Sequence, residues 1–124
     1  MDTFINCLIV GAGGMLGTVA RYLLGLLPIK AQNSFPIITL VINLVGAFCI
    51  GLIVALSERS ASANPQTLLF LKVGLCGGFT TFSTFSLEAV QLLQSGKWGI
   101  AVTYMVLSVV LCVAAIVGAR RLVI

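Results

Sequence analysis

Gly74-Leu-Cys-Gly-Gly-Phe-Thr-Thr-Phe-Ser-Thr-Phe-Ser86 sits at the middle of an apolar run long enough to cross a bilayer. It nevertheless carries three glycines, five hydroxyl side chains and three phenylalanines where an ordinary span has Leu, Ile and Val. In hydrocarbon, backbone polar groups need internal partners, so an interrupted helix is tolerated only where it is buried in protein or lines a wet cavity. The stretch therefore predicts a third span, Gln66–Leu93, that starts as a regular helix over Gln66–Val73 and breaks around Gly74, Gly77 and Gly78. Such a break frees carbonyls on one half-helix and N–H groups on the next, and discontinuous helices use these ends to hold ions. The carbonyls of residues 77–80 are candidate cation ligands, and the stretch as a whole marks a pore or binding site.

The rest of the 124 residues fits that setting. Hydrophobic residues make up 60% and charged residues 8%, against roughly 25% charged in an average soluble domain, and mean hydropathy is +1.19. Apolar runs of the length a bilayer requires, about 20 residues, occur at Phe4–Leu27, Ile37–Leu56, Gln66–Leu93 and Trp98–Ala119. The expectation is an all-α membrane protein with four spanning helices in a single transmembrane domain, residues 1–124. The polar connections are too short for an extramembrane domain. The chain starts with Asp2 and a full-length span instead of a basic segment and a short apolar core, which predicts a retained N terminus. The formal charge of +4 is not clustered or interleaved with aromatics, which argues against a nucleic-acid partner. Cys7, Cys49, Cys76 and Cys112 are far apart, with no CxxC pair and no histidine, and read as packing residues and not as a metal site.

Four spans put the N terminus, the loop before Pro65 and the C terminus on one side, with Arg59, Lys72, Arg120 and Arg121. Arg21, Lys30 and Lys97 fall on the other. Orientation normally follows an excess of Lys and Arg in cytoplasmic loops, and four against three is almost none. The count predicts insertion both ways up, and with it an antiparallel homodimer in which a partner completes a site too large for one thin subunit.

Individual polar residues then stand out. The first span carries a Gly13-xxx-Gly17 pair suited to close helix contact. Arg21 follows, with two readings: a vestibule that concentrates anions, or a tie to a loop. Asn43 lies near mid-bilayer with Thr39 one turn before it; its amide either offers N–H groups to a desolvated anion or binds two helices together. Phe82 and Phe85 share a helical face, with Thr81 and Ser83 beside them. A phenyl ring has a positive edge, so ring edges stabilise an anion without formal charge, or the pair simply packs. Glu88 is the one acid inside a predicted span and, near its end, suits an entrance or structural role. Tyr104, Ser108 and Cys112 form an i, i+4, i+8 stripe, either a polar rail or an interhelical bonding face.

Three segments together, Gly13-Gly-Met-Leu-Gly-Thr-Val-Ala-Arg-Tyr22, Thr39-Leu-Val-Ile-Asn-Leu-Val-Gly46 and the run from Gly74 to Phe85, resemble the CrcB/Fluc family of fluoride channels over nearly the whole chain. The resemblance implies a passive, fluoride-selective channel, not an enzyme, in the bacterial inner membrane. It further implies a dual-topology homodimer with two antiparallel pathways and a structural sodium ion at the dimer centre. On these positions the sodium ligands are the carbonyls of Gly77 and Thr80, Phe82 and Phe85 supply ring edges, and Asn43 coordinates fluoride. Tyr104 and Ser108 belong to a polar track, Thr39 and Glu88 line the route nearer its ends, and Arg21 serves a vestibule. Cys112 stands where a hydroxyl is more typical. The main rival is a four-helix dual-topology drug/proton antiporter, which needs an embedded carboxylate for proton exchange; the first span has none. A noncatalytic assembly subunit accounts for the glycines and Asn43 but not for the hydroxyl–phenylalanine run.

Overall fold

A computed structural model of the chain describes residues 2–124, which are helical apart from short connections, with no strand among them. Helix α1 spans Thr3–Gly25 and α2 spans Ile37–Arg59. The third span, Pro65–Gln94, is divided into α3, residues 65–79, and α4, Phe82–Gln94; α5 spans Trp98–Val123. At 1.5 Å per residue, helices of 23 to 30 residues exceed the roughly 30 Å of hydrocarbon. The expected spans are therefore all present, each ending within a few residues of its predicted limits.

The ends are set by local chemistry. Asp2 caps α1 by accepting from Phe4 N–H at 2.9 Å. Asn64 accepts from the Gln66 and Thr67 N–H groups, with Pro65 in the first turn of α3, where its missing donor is harmless. Arg120 and Arg121 occupy the last turn of α5, where cations complement the helix dipole.

Two parallel helix pairs make up the fold. In the first, α1 lies along α3 with backbone nearly touching backbone. A Cβ on Gly74 would stand 2.8 Å from Val10 O, and one on Gly78 2.6 Å from Gly14 O. A Cβ on Gly13 would likewise stand 2.5 Å from Phe70 O. In the second pair, α2 lies along α5, with Gly51 against Ile116 and Ala119 and with Ala55 and Ala119 buried. Glu58 and Arg120 form an ion pair at 2.8 Å at one end, where Arg59 also donates to Val123 O; at the other end Lys97 Nζ donates to Ser34 Oγ at 2.8 Å. The loops thus fall on the sides the charge count assigned them. Only 11–33% of each span is buried, so most Leu, Ile and Val side chains face outward, as hydrocarbon allows.

Two expectations for the third span are corrected. Residues Leu69–Cys76, expected to be mostly regular α-helix, form a π-helical segment, with only Pro65–Leu68 and Gly77–Phe79 α-helical around it. The helix also does not break at its glycines. Gly77 keeps helical angles (φ −63°, ψ −37°), and the chain becomes extended only at Thr80 (φ −81°, ψ 158°) and Thr81 (φ −148°, ψ 117°). The physical reason is that Gly74 and Gly78 serve the contact with α1, while the interruption is held open by side chains that recruit the backbone at Thr81.

Candidate functional site

In an unbroken helix Thr81 N–H would bond Gly77 C=O, and Thr84 N–H would bond Thr80 C=O. Neither does so. Thr81 N–H donates to Asn43 Oδ1 at 2.8 Å, and Thr84 N–H donates to Thr81 Oγ1 at 3.1 Å, which caps α4. Asn43 Nδ2 returns a bond to Thr81 C=O at 3.1 Å, so one primary amide closes both backbone groups of the extended residue. Just before the break, Thr80 gives its N–H and its hydroxyl to Cys76 C=O, at 3.1 and 3.0 Å. Gly78 C=O accepts from Arg21 Nε at 3.2 Å and Thr18 Oγ1 at 3.4 Å. The Gly77 and Thr80 carbonyls are thereby separated from their regular helical donors.

These two residues line a cleft of about 360 Å³, together with Asn43, Thr81, Phe82 and Phe85. Its remaining wall includes Ser108 and Cys112 from α5 and Cys76 from α3, and no charged residue among those described lines it. Ser108 is 7% exposed, and its Oγ has no hydrogen-bond partner among the described residues. The two phenylalanines are in contact, centroids 5.5 Å apart, but Phe85 is 9% exposed and Phe82 77%. Gly46 brings α2 against the break: a Cβ there would collide with Thr80 Cγ2 and lie 3.3 Å from the Phe79 ring.

A second polar cluster lies apart from this cleft lining. Glu88 accepts from Thr39 Oγ1 at 3.0 Å and from Tyr104 OH at 2.9 Å. Tyr104 is fully buried; Phe35 meets its ring edge-on at 5.5 Å and Phe85 packs on it at 5.1 Å. Thr39 also lines a smaller cavity of about 210 Å³ with Arg21, Thr81 and Thr84. Thr81 borders both spaces.

The expected residues are thus sorted into neighbouring groups. Asn43, Gly77, Thr80, Thr81, Phe82, Phe85 and Ser108 meet at the cleft. Thr39, Glu88 and Tyr104 form the second, part-buried cluster, so the stripe on α5 is not one continuous rail: Tyr104 turns to Glu88 while Ser108 and Cys112 line the cleft. Ser83 lines neither space and shares a 3.3 Å hydroxyl contact with Thr81. Arg21 borders the small cavity and donates to Gly78 C=O just before the break. Sequence reasoning did not single out Thr18, Phe35 or Gly46. Only Gly46 carried a usable signal, as a small residue less than one turn from Asn43.

Four apolar helices, one of them interrupted beside an uncharged polar cleft, define a multi-pass α-helical membrane protein. Residues 8–119 match the family described as CrcB-like protein, Camphor Resistance (CrcB), and the chain belongs to that family. It is 45% identical over 123 residues to a "Fluoride-specific ion channel FluC" of Ruminiclostridium cellulolyticum, covering 98% of this chain and 95% of the relative. Relatives of the same name are 45% identical in Agrobacterium fabrum, over 90% of each chain, and 42% identical in Saccharophagus degradans, over 94% of this chain and 88% of the relative.

Proposed function

We propose that this protein is a passive, fluoride-selective channel of the bacterial inner membrane, a transport protein and not an enzyme, that lets cytoplasmic fluoride leave. The observation that carries this reading is the cleft at the break, lined by an amide, hydroxyls and two phenyl rings with no charged side chain among the described residues. Fluoride is small and hard and holds water tightly, so its shell must be replaced by several modest donors. Asn43 Nδ2 has a second N–H beyond the one given to Thr81, Ser108 Oγ has no hydrogen-bond partner among the described residues, and phenyl rings such as those of Phe82 and Phe85 carry electropositive edges. Neutral ligands let an ion leave again, which conduction requires. Fluoride enters a cell from acidic surroundings as neutral HF and dissociates at near-neutral pH, so passive anion efflux relieves toxicity without energy coupling. The names of the relatives support the same reading. An antiporter is disfavoured because the embedded carboxylate, Glu88, is held by two hydroxyls away from the cleft.

The working unit in this reading is an antiparallel homodimer. The near-even charge count and the exposure of Phe82 at the cleft support it, since a partner would cover that ring. A structural sodium ion at the dimer centre suits the Gly77 and Thr80 carbonyls, because hard cations take neutral oxygen ligands and these oxygens have lost their helical donors. Bound there, it would fix the two breaks against each other.

Reconstitution into liposomes tests the whole reading. Fluoride efflux well above that of bare lipid, chloride efflux near background, and loss of flux after sodium removal are expected. Vesicles that release fluoride no faster than protein-free ones would reject it.

A further inference from the structure

Phe35 lines neither cavity described above, yet it ends a chain of aromatic contacts that begins at the cleft. Phe82 touches Phe85 at 5.5 Å between ring centroids, and Phe85 packs on Tyr104 at 5.1 Å with the planes tilted by 54°. Phe35, from the connection between α1 and α2, meets Tyr104 at 5.5 Å and 80°. Tyr104 is 0% exposed, and its hydroxyl donates to Glu88, which Thr39 also holds.

The backbone around Phe35 is fixed on both sides. Before it, Asn33 and Ser34 are consecutive non-glycine residues in the left-handed region, at φ 63° and 64°. A residue such as Ser keeps that conformation only when its surroundings hold it. Lys97 Nζ supplies a hold by donating to Ser34 Oγ at 2.8 Å. After it, Ile37 N–H donates to Phe35 C=O at 2.8 Å across Pro36 (φ −78°, ψ 69°), an inverse γ-turn that leads into α2. A loop that only joins two helices needs neither device; together they fix the side chain at position 35.

We infer that Phe35 is a positioning residue for the cleft: through Tyr104 it sets the orientation of the Phe85 ring. The inference rests on the fluoride-channel reading above, in which a ring edge faces the ion, because the face of the same ring is electronegative and repels an anion. Rotation about the Cβ–Cγ bond, a broad torsion in Phe, exchanges edge for face. Tyr104 opposes that rotation while its own ring is held, by Glu88 at the hydroxyl and by Phe35 against the ring. Leucine at position 35 keeps apolar bulk without a flat ring, whereas tyrosine keeps the ring.

The test places 4-fluorophenylalanine at position 85 by site-specific incorporation and records its ¹⁹F resonance in fluoride-free micelles, beside fluoride efflux from liposomes for the unlabelled chains. Phe35→Leu is expected to shift or broaden the resonance and to lower efflux about tenfold, the scale of a loosened site, and Phe35→Tyr to restore both. Lys97→Met leaves every ring in place and releases Ser34; it is expected to broaden the same resonance, and it carries the test where Phe35→Leu does not fold. An unmoved resonance in folded Phe35→Leu, or in Lys97→Met where that variant stands in for it, overturns the relay. A moved resonance with undiminished fluoride efflux overturns the positioning role, as does equal loss of efflux in Phe35→Tyr. Absence of fluoride efflux from the wild type rejects the channel reading instead, and the resonance then decides by itself whether Phe35 sets the Phe85 ring.

Discussion

Asn43 does two jobs with one amide: Oδ1 receives Thr81 N–H and Nδ2 donates to Thr81 C=O. Aspartate keeps the acceptor and loses the donor, whereas leucine removes both and leaves the backbone of Thr81 without its side-chain partner. An unsatisfied buried group costs about 1–3 kcal/mol, so Asn43→Leu is expected to unfold in detergent well before Asn43→Asp. The Asp variant should still conduct poorly, because fluoride meets a like charge. Equal thermal stability of the two would show that the amide is not the clamp. Phe82 and Phe85 invite a similar separation. Replacing either by Ile removes a ring edge and should cripple fluoride efflux. Phe85→Ile should also lose about 1–3 kcal/mol of stability through repacking against Tyr104, while Phe82→Ile, at an exposed position, should lose little. Full flux through both variants would count against the ring-edge mechanism.

At the scale of elements, the contact between α1 and α3 depends on hydrogen atoms where other residues have Cβ. Gly74 and Gly78 meet backbone atoms of α1 that cannot swing aside, and Gly11 on α1 faces open space. Gly74→Ala and Gly78→Ala are therefore expected to destabilise by about 1–3 kcal/mol, the usual cost of overpacking. Gly11→Ala should be neutral or gain up to roughly 1 kcal/mol from helix propensity. Unfolding in detergent micelles would test the contrast, and equal shifts in all three would refute it. The same contact explains why a glycine-rich stretch remains helical. Density of glycine predicts a break, yet here it is packing; the break comes after it, at two β-branched threonines, which tolerate extended angles well.

For the whole molecule, the near-balance of charge is the property with the widest consequence. Arg59, Lys72, Arg120 and Arg121 stand against Arg21, Lys30 and Lys97, and part of the first group is neutralised by the Glu58–Arg120 pair. Paired reporters at the C terminus are expected to give signal from both sides of the membrane. Adding two arginines to the loop before α3, as Ser62→Arg with Ala63→Arg, should force one orientation and abolish flux for lack of an antiparallel partner. Co-expression with a variant biased the other way should restore it. Reporter signal from one side alone for the unmodified chain would remove the dimer proposal.

Hydropathy summed over twenty residues is a local quantity, which is why Phe4–Leu27, Ile37–Leu56, Gln66–Leu93 and Trp98–Ala119 were legible as spans without any knowledge of their neighbours. The polar content of residues 74–86 likewise announced an interruption, and the residues singled out at positions 43, 82, 85 and 108 all line the cleft beside it. Where the helix stops was not legible, because it depends on a bond from Asn43, 38 positions away in the chain. Nor was the division of the α5 stripe, since Tyr104 turns toward Glu88 only because α4 places a carboxylate beside it. The π-helical turn at Leu69–Cys76 had no signal in an apolar run that suits either helix. Transfer into lipid is decided segment by segment, but a buried donor chooses its acceptor from whatever the fold brings within about 3 Å, and only the assembled helices determine that choice.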